Sequence, residues 1–189
     1  TPTLNIFDGA HRFFWENFPV EPYKNNYRAV RYGLAACLLS QSFFYVDEGN
    51  NLGHHGNVHI YDEFEAKGLL GYPLSAPVKL SGKPLASTPW ASGVWVRFFD
   101  NGISICNASG LDQTVTASEL AALDPAGGGA VYRFLGGQDP DRNNGQQVTD
   151  ANPVFLDGDI KAAVWSDPEV FGDGALLFRT KRTLITPII

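Results

Sequence analysis

The alternating run from Gly93 to Asp100 constrains this chain most. Val94, Val96 and Phe98 fall on one face, and Trp95, Arg97 and Phe99 on the other. A period of two is the signature of a strand, whose successive side chains point to opposite faces. Asn101-Gly102 follows, and Ile103-Ser104-Ile105-Cys106 resumes the pattern. Asn and Gly both tolerate positive φ, so the pair predicts a two-residue hairpin loop with Phe98 opposite Ile105. Further short strands are expected over 113–116, 130–135, 153–156, 162–165 and 175–179, with a helical turn over 118–123 capped by Ser118. The 20 Gly, 12 Pro and 13% aromatic residues suit a turn-rich β unit with a large core. Strands at this spacing predict an antiparallel β-sandwich.

The first 76 residues read differently. Tyr27, Val30, Leu34 and Leu38 recur at helical spacing, which predicts a helix over 26–39. Asn25 or Asn26 can cap it, and Pro22 blocks an earlier start. Arg28 and Arg31 are expected on its wetter side, while Ala35 and Ala36 make its far end small and apolar. The next segment, 42–49, is continuously apolar and then abruptly acidic. A strand buried on both faces reads this way, as in parallel sheets covered by helices. In such sheets functional groups gather at the carboxyl ends of strands, where Asp47 and Glu48 fall. A connector over 74–89 carries Pro77, Gly82, Pro84 and Pro89. The expected division is therefore 1–76 and 77–189, with α+β as the fold class.

The 14 basic and 20 acidic side chains leave a net charge of -6 and form no basic patch. That excludes a nucleic-acid binder built on phosphate neutralisation. No apolar run reaches the ~20 residues of a membrane span. The chain has no Met and begins at Thr1, so it is expected to be a processed chain, a domain or a fragment. Cys37 and Cys106 are expected as buried free thiols.

In order along the chain, several segments resemble a family of (β/α)-barrel glycoside hydrolases. Arg31-Tyr32-Gly33-Leu34-Ala35, Leu38-Leu39, Phe43-Phe44-Tyr45 and Asp47 are similar to that family's last barrel helix and strand. Tyr61-Asp62-Glu63-Phe64 and Leu70-Gly71-Tyr72-Pro73-Leu74 resemble two segments that follow. Arg97-Phe98-Phe99-Asp100-Asn101-Gly102-Ile103, Cys106-Asn107, Gln138-Asp139-Pro140 with Asn144-Gly145, and Gly172-Asp173-Gly174-Ala175-Leu176-Leu177 resemble segments of its C-terminal β domain. The resemblance covers 28–180. It departs from the family at Gly53-His54-His55-Gly56, and at 157–171, which reads as an insertion. It implies a polysaccharide-active enzyme of which this chain supplies the terminal barrel segment, 1–76, and the β-sandwich domain, 77–189. The enzyme would be secreted or at the cell surface. The isolated chain is expected to be inactive and to bind the missing N-terminal part of the barrel.

Glycoside hydrolysis needs two carboxyl groups, ~5 Å apart for retention or ~6.5–9.5 Å for inversion. Asp47 and Glu48 cannot be that pair, because consecutive strand residues face opposite sides. Both are catalytic candidates, only one of which can face a barrel interior; the partner comes from Asp62, Glu63 or Glu65 or, as expected here, from a part of the barrel outside this chain. His54, His55 and His59 could ligate zinc, hydrogen-bond a sugar or simply occupy a surface loop. With no Cys nearby, sugar binding is the functional reading taken forward, and no metal or cofactor is expected. Tyr61 adjoins the histidines and Asp62 and could stack on a pyranose, so Tyr61 and Asp62 join the substrate-binding candidates. Trp95 is expected to serve packing. Asp139, Asp141, Asn143 and Asn144 could attract calcium, but Asp-Pro and Asn-Gly are ordinary turn chemistry. Asn107-Ala108-Ser109 is a glycosylation sequon.

The alternative reading is non-enzymatic: a carbohydrate-binding or self-assembling structural protein. Its aromatic residues would then serve a partner, a glycan or edge-strand contacts.

Overall fold

The computed structural model describes residues 6–8, 23–40, 42–45, 69–89, 91–135, 139–158 and 172–180. It begins with β1 (Ile6–Asp8), α1 (Tyr23–Ser40) and β2 (Phe43–Tyr45). β1 and β2 pair in parallel, Ile6 opposite Phe43 and Asp8 opposite Tyr45, with α1 as the crossover. Parallel strands need such a crossover, because no tight turn can bring the chain back in the same direction.

Strands β3 (Val78–Lys79), β4 (Gly93–Phe99), β5 (Gly102–Ala108), β7 (Val131–Arg133), β8 (Gln147–Val148) and β10 (Asp173–Phe178) form an antiparallel sheet. Their spatial order is β3-β4-β5-β10-β7-β8. One face buries Val94, Val96, Phe98, Ile103, Ile105 and Leu177. It is covered by an antiparallel ribbon of β6 (Gln113–Val115) and β9 (Val154–Leu156) and by α2 (Ala117–Leu123), through Val115, Leu120, Val154 and Leu156. The opposite face buries Phe99, Leu176 and Phe178 against Leu34 of α1, with Leu70 and Phe134 beside them. Two apolar faces on one sheet require a cover on each side, and the ribbon and the helix provide them. The fold is thus α+β, mostly antiparallel sheet.

The alternation of β4 is as expected, but the hairpin register differs. Phe98 faces Ile103, Val96 faces Ile105, and the loop is Asp100-Asn101, so Gly102 pairs with Phe99 inside the ladder. The shift of two residues leaves every side chain on its original face, so alternation alone could not detect it. Gly102 is required for a different reason. A Cβ there would lie 2.2 Å from the Leu177 carbonyl oxygen of β10 and 2.7 Å from Leu70 Cδ2.

Two local expectations need correction. Thr116, not Ser118, caps α2, through a capping box in which Thr116 and Glu119 each accept the other's backbone N–H. Ser118 instead gives its hydroxyl and its backbone N–H to Asp150. Arg31 is not on a wet face: it is 5% exposed, in the contact between α1 and the sheet. The strand expected over 162–165 lies outside the described residues. Cys37 and Cys106 are buried free thiols. Among the described residues no helix is long and apolar enough to cross a membrane.

Candidate functional site

The residues nominated for chemistry are Asp47, Glu48, His54, His55, His59, Tyr61 and Asp62, and all lie outside the described residues, as do Trp90 and Trp165. Trp95 is described. It pairs with Lys79 and Cys106 across the sheet, and the Lys79 ammonium lies 6.0 Å from the centre of its ring.

The most concentrated polar chemistry among the described residues joins α1 to the β sheet. Gly174 sits at the start of β10, where a Cβ would lie 2.2 Å from the Arg31 carbonyl oxygen. Its missing side chain lets the helix backbone touch the strand. That approach brings the Arg31 guanidinium to Asp173, with Nε donating to Oδ1 at 3.0 Å. Arg31 Nη1 donates to Asp139 Oδ2, from the turn that follows β7. The Asp173 carboxylate also accepts the backbone N–H of Gly174 at 2.8 Å and that of Asp157 at 3.4 Å. Beside it, Arg142 Nη2 meets Asp157 Oδ2 at 2.6 Å, and Arg28 Nη1 lies 4.0 Å from Asp157 Oδ1.

Asp173 is 1% exposed. Burial pushes its carboxyl above the usual value, and the charge of Arg31 opposes that shift. With Arg31 shared between two carboxylates and Asp173 almost fully buried, this cluster holds chain segments together. Among the described residues no group of three or more His, Cys, Asp or Glu is placed to hold a metal ion.

A second arginine fastens the other end of α1. Arg97 of β4 points to the helix face of the sheet. It donates Nη1 to the carbonyls of Leu38 at 2.9 Å and Leu39 at 3.4 Å, and Nε to Ser75 O at 3.1 Å. The last carbonyls of a helix lack intrahelical partners and carry partial negative charge, so a cation there satisfies both needs. No basic residue lies in the helix's own last turn, so the sheet supplies it.

The sequon is structural. Asn107 is fully buried, and its side-chain N–H groups reach the carbonyls of Leu111, Leu156 and Asp157. Its Oδ1 accepts from the backbone N–H and the hydroxyl of Ser109. Asp139 likewise opens a turn, its carbonyl accepting from the N–H groups of Arg142 and Asn143.

A cavity of about 240 Å³ opens between β7, the turn after Asp139 and β9. Arg133, Arg142, Asn144, Asn152 and Phe155 contribute to its walls, with Asp141 exposed and Asp173 buried. Sequence reasoning did not find this cavity, because Arg133 gives no signal beyond one charged residue in a short strand.

Arg31, Arg97, Asn107, Asp139 and Asp173 thus hold the helix, the sheet and the surrounding turns in place. Comparison with known proteins finds no matching family model, no matching curated relative and no matching solved structure.

Proposed function

We propose that this chain is the C-terminal portion of a secreted glycoside hydrolase acting on a polysaccharide. In this reading β1, α1 and β2 are the terminal part of a (β/α) barrel, and the β-rich remainder is a sandwich domain that braces it. The observation that carries the reading is the parallel β1–α1–β2 unit clamped to an antiparallel sheet through Arg31 and Arg97. A parallel pair this short does not stand alone, so the unit calls for further strands beside it. Those strands would come from the N-terminal part of the enzyme, which is the proposed partner. The oligosaccharide or polysaccharide would bind past the carboxyl end of β2, where Asp47 and Glu48 follow in sequence and His54, His55, His59, Tyr61 and Asp62 come next.

The test has two parts. The coding DNA upstream of Thr1 is read for an in-frame extension with alternating strand and helix periodicity. The full gene product is then assayed for release of reducing ends from a panel of polysaccharides, alongside Asp47→Asn and Glu48→Gln. Hydrolysis that falls at least about tenfold in one variant supports the reading. Absence of the extension, absence of hydrolysis on every substrate, or two fully active variants overturns it.

A further inference from the structure

We infer that the cavity between β7, the turn after Asp139 and β9 binds the carboxylate of an acidic sugar. Arg133 carries the argument. One terminal nitrogen of its guanidinium, Nη2, donates to Pro153 O at 2.6 Å, Asn152 O at 3.4 Å and Asn152 Oδ1 at 3.3 Å. All three acceptors are uncharged. The other, Nη1, is buried without a hydrogen-bond partner. Arg133 as a whole is half-buried, but an orphaned buried N–H is costly, and an incoming carboxylate would supply both a counter-charge and an acceptor for Nη1.

The surroundings favour an anion of sugar size. Arg142 lies on the same cavity and adds positive field, while its own carboxylate partner is Asp157. Burial, and then the nearby Arg142, hold the Arg133 guanidinium below its ordinary pKa. Of the carboxylates on the walls, Asp173 is taken up by Arg31 and Asp141 is solvent-exposed. Asn144 and Asn152 also line the cavity. Phe155 leaves 40% of its surface in solvent, with the Arg142 guanidinium 4.9 Å from its ring centre. A part-exposed aromatic ring and amide side chains on one cavity suit the mixed apolar and hydroxylated surface of a pyranose. The choice of a sugar acid over other carboxylates rests on the polysaccharide reading above; the anion site itself does not.

The experiment is a titration of the full gene product with galacturonate and glucuronate, followed by calorimetry and amide chemical shifts. Galactose, glucose and acetate serve as separate arms. Uronates are expected to bind and to shift the amides of Arg133, Asn144 and Asn152, with neutral sugars and acetate at least about tenfold weaker. Arg133→Met should weaken uronate binding by at least that factor in a protein that remains folded, although losing the bonds to Pro153 O and Asn152 lowers its thermal midpoint. Should Arg133→Met not fold, Arg133→Lys keeps the charge, loses the Nη1 donor and should still weaken the uronate. Neutral sugars binding as well as uronates would overturn the anion site. Acetate binding as well as uronates would overturn the sugar assignment. No binding by uronates, or unchanged affinity in the Arg133 variants, overturns the proposal. Uronate binding in a protein that cleaves no polysaccharide would overturn the hydrolase reading alone.

Discussion

Replacing Arg97 by Met keeps the aliphatic stem and removes the clamp on the carboxyl end of α1. Two well-formed bonds disappear, to Leu38 O at 2.9 Å and Ser75 O at 3.1 Å, with a weaker one to Leu39 O. Charge-assisted bonds contribute about 1.5–3 kcal/mol each, so the gross loss is about 3–6 kcal/mol. Removing a cation that is only 5% exposed returns part of its desolvation cost. The carbonyls left behind lose a charged donor at a helix end, so the net destabilisation should be about 2–4 kcal/mol. Urea unfolding followed by tryptophan fluorescence measures it, as a lower midpoint with unchanged slope. Amide hydrogen exchange should rise first in the last turn of α1, and less in β4. A loss below about 0.5 kcal/mol, typical of an uninvolved surface position, would refute the reasoning. So would exchange that rises evenly over the helix and the sheet.

Other perturbations give equally direct readings. Gly174→Ala drives a Cβ to 2.2 Å from the Arg31 carbonyl, so the helix must shift; thermal unfolding should report about 1–3 kcal/mol lost or more. Asp124 is held below its ordinary value of 3.8, first by the paired hydrogen bonds from Arg179 at 2.6 and 2.8 Å. Its stabilisation is complete above the unfolded value and is lost as pH falls through the lower folded value. Asp124→Asn should therefore flatten the acid limb of a stability–pH curve while lowering stability at neutral pH. Asn107 is fully buried and bonded on both sides of its amide, so folded protein from a eukaryotic secretory host should carry no glycan there by intact mass.

The strand faces were legible because alternation reports local geometry. Val94, Val96 and Phe98 point one way whatever their partners do. Their register was not legible, since a slip of two residues leaves both faces intact and the deciding contact is the close approach of Leu177 to Gly102. Helix α1 was legible from its spacing, but the burial of Arg31 was not. Its partners lie 108 and 142 residues away, and in isolation an arginine beside Arg28 reads as solvated. The α2 cap was misassigned because Ser118 and Thr116 are both good capping residues. Only Thr116 stands three residues before a Glu that can close the box. The turn at Asp139 was read correctly as turn chemistry, yet its carboxylate also reaches Arg31. Nothing in the sequence signals that second role, because Arg31 lies 108 residues before Asp139 and the contact exists only once the helix has docked.

The distance along the chain between Arg31 and Asp173 has a consequence during synthesis. Ribosomes add about 5–20 residues per second, so roughly 7–30 s separate the appearance of the two residues. For that interval the nascent helix carries an arginine without Asp173 and an apolar stripe without β10 to cover it. The hairpin of β4 and β5 closes from neighbouring sequence and can form while the ribosome is still working. The helix cannot dock until nearly the last strand emerges. Expression yield should therefore depend on the chaperones that occupy the waiting helix, and on how quickly the ribosome reaches β10.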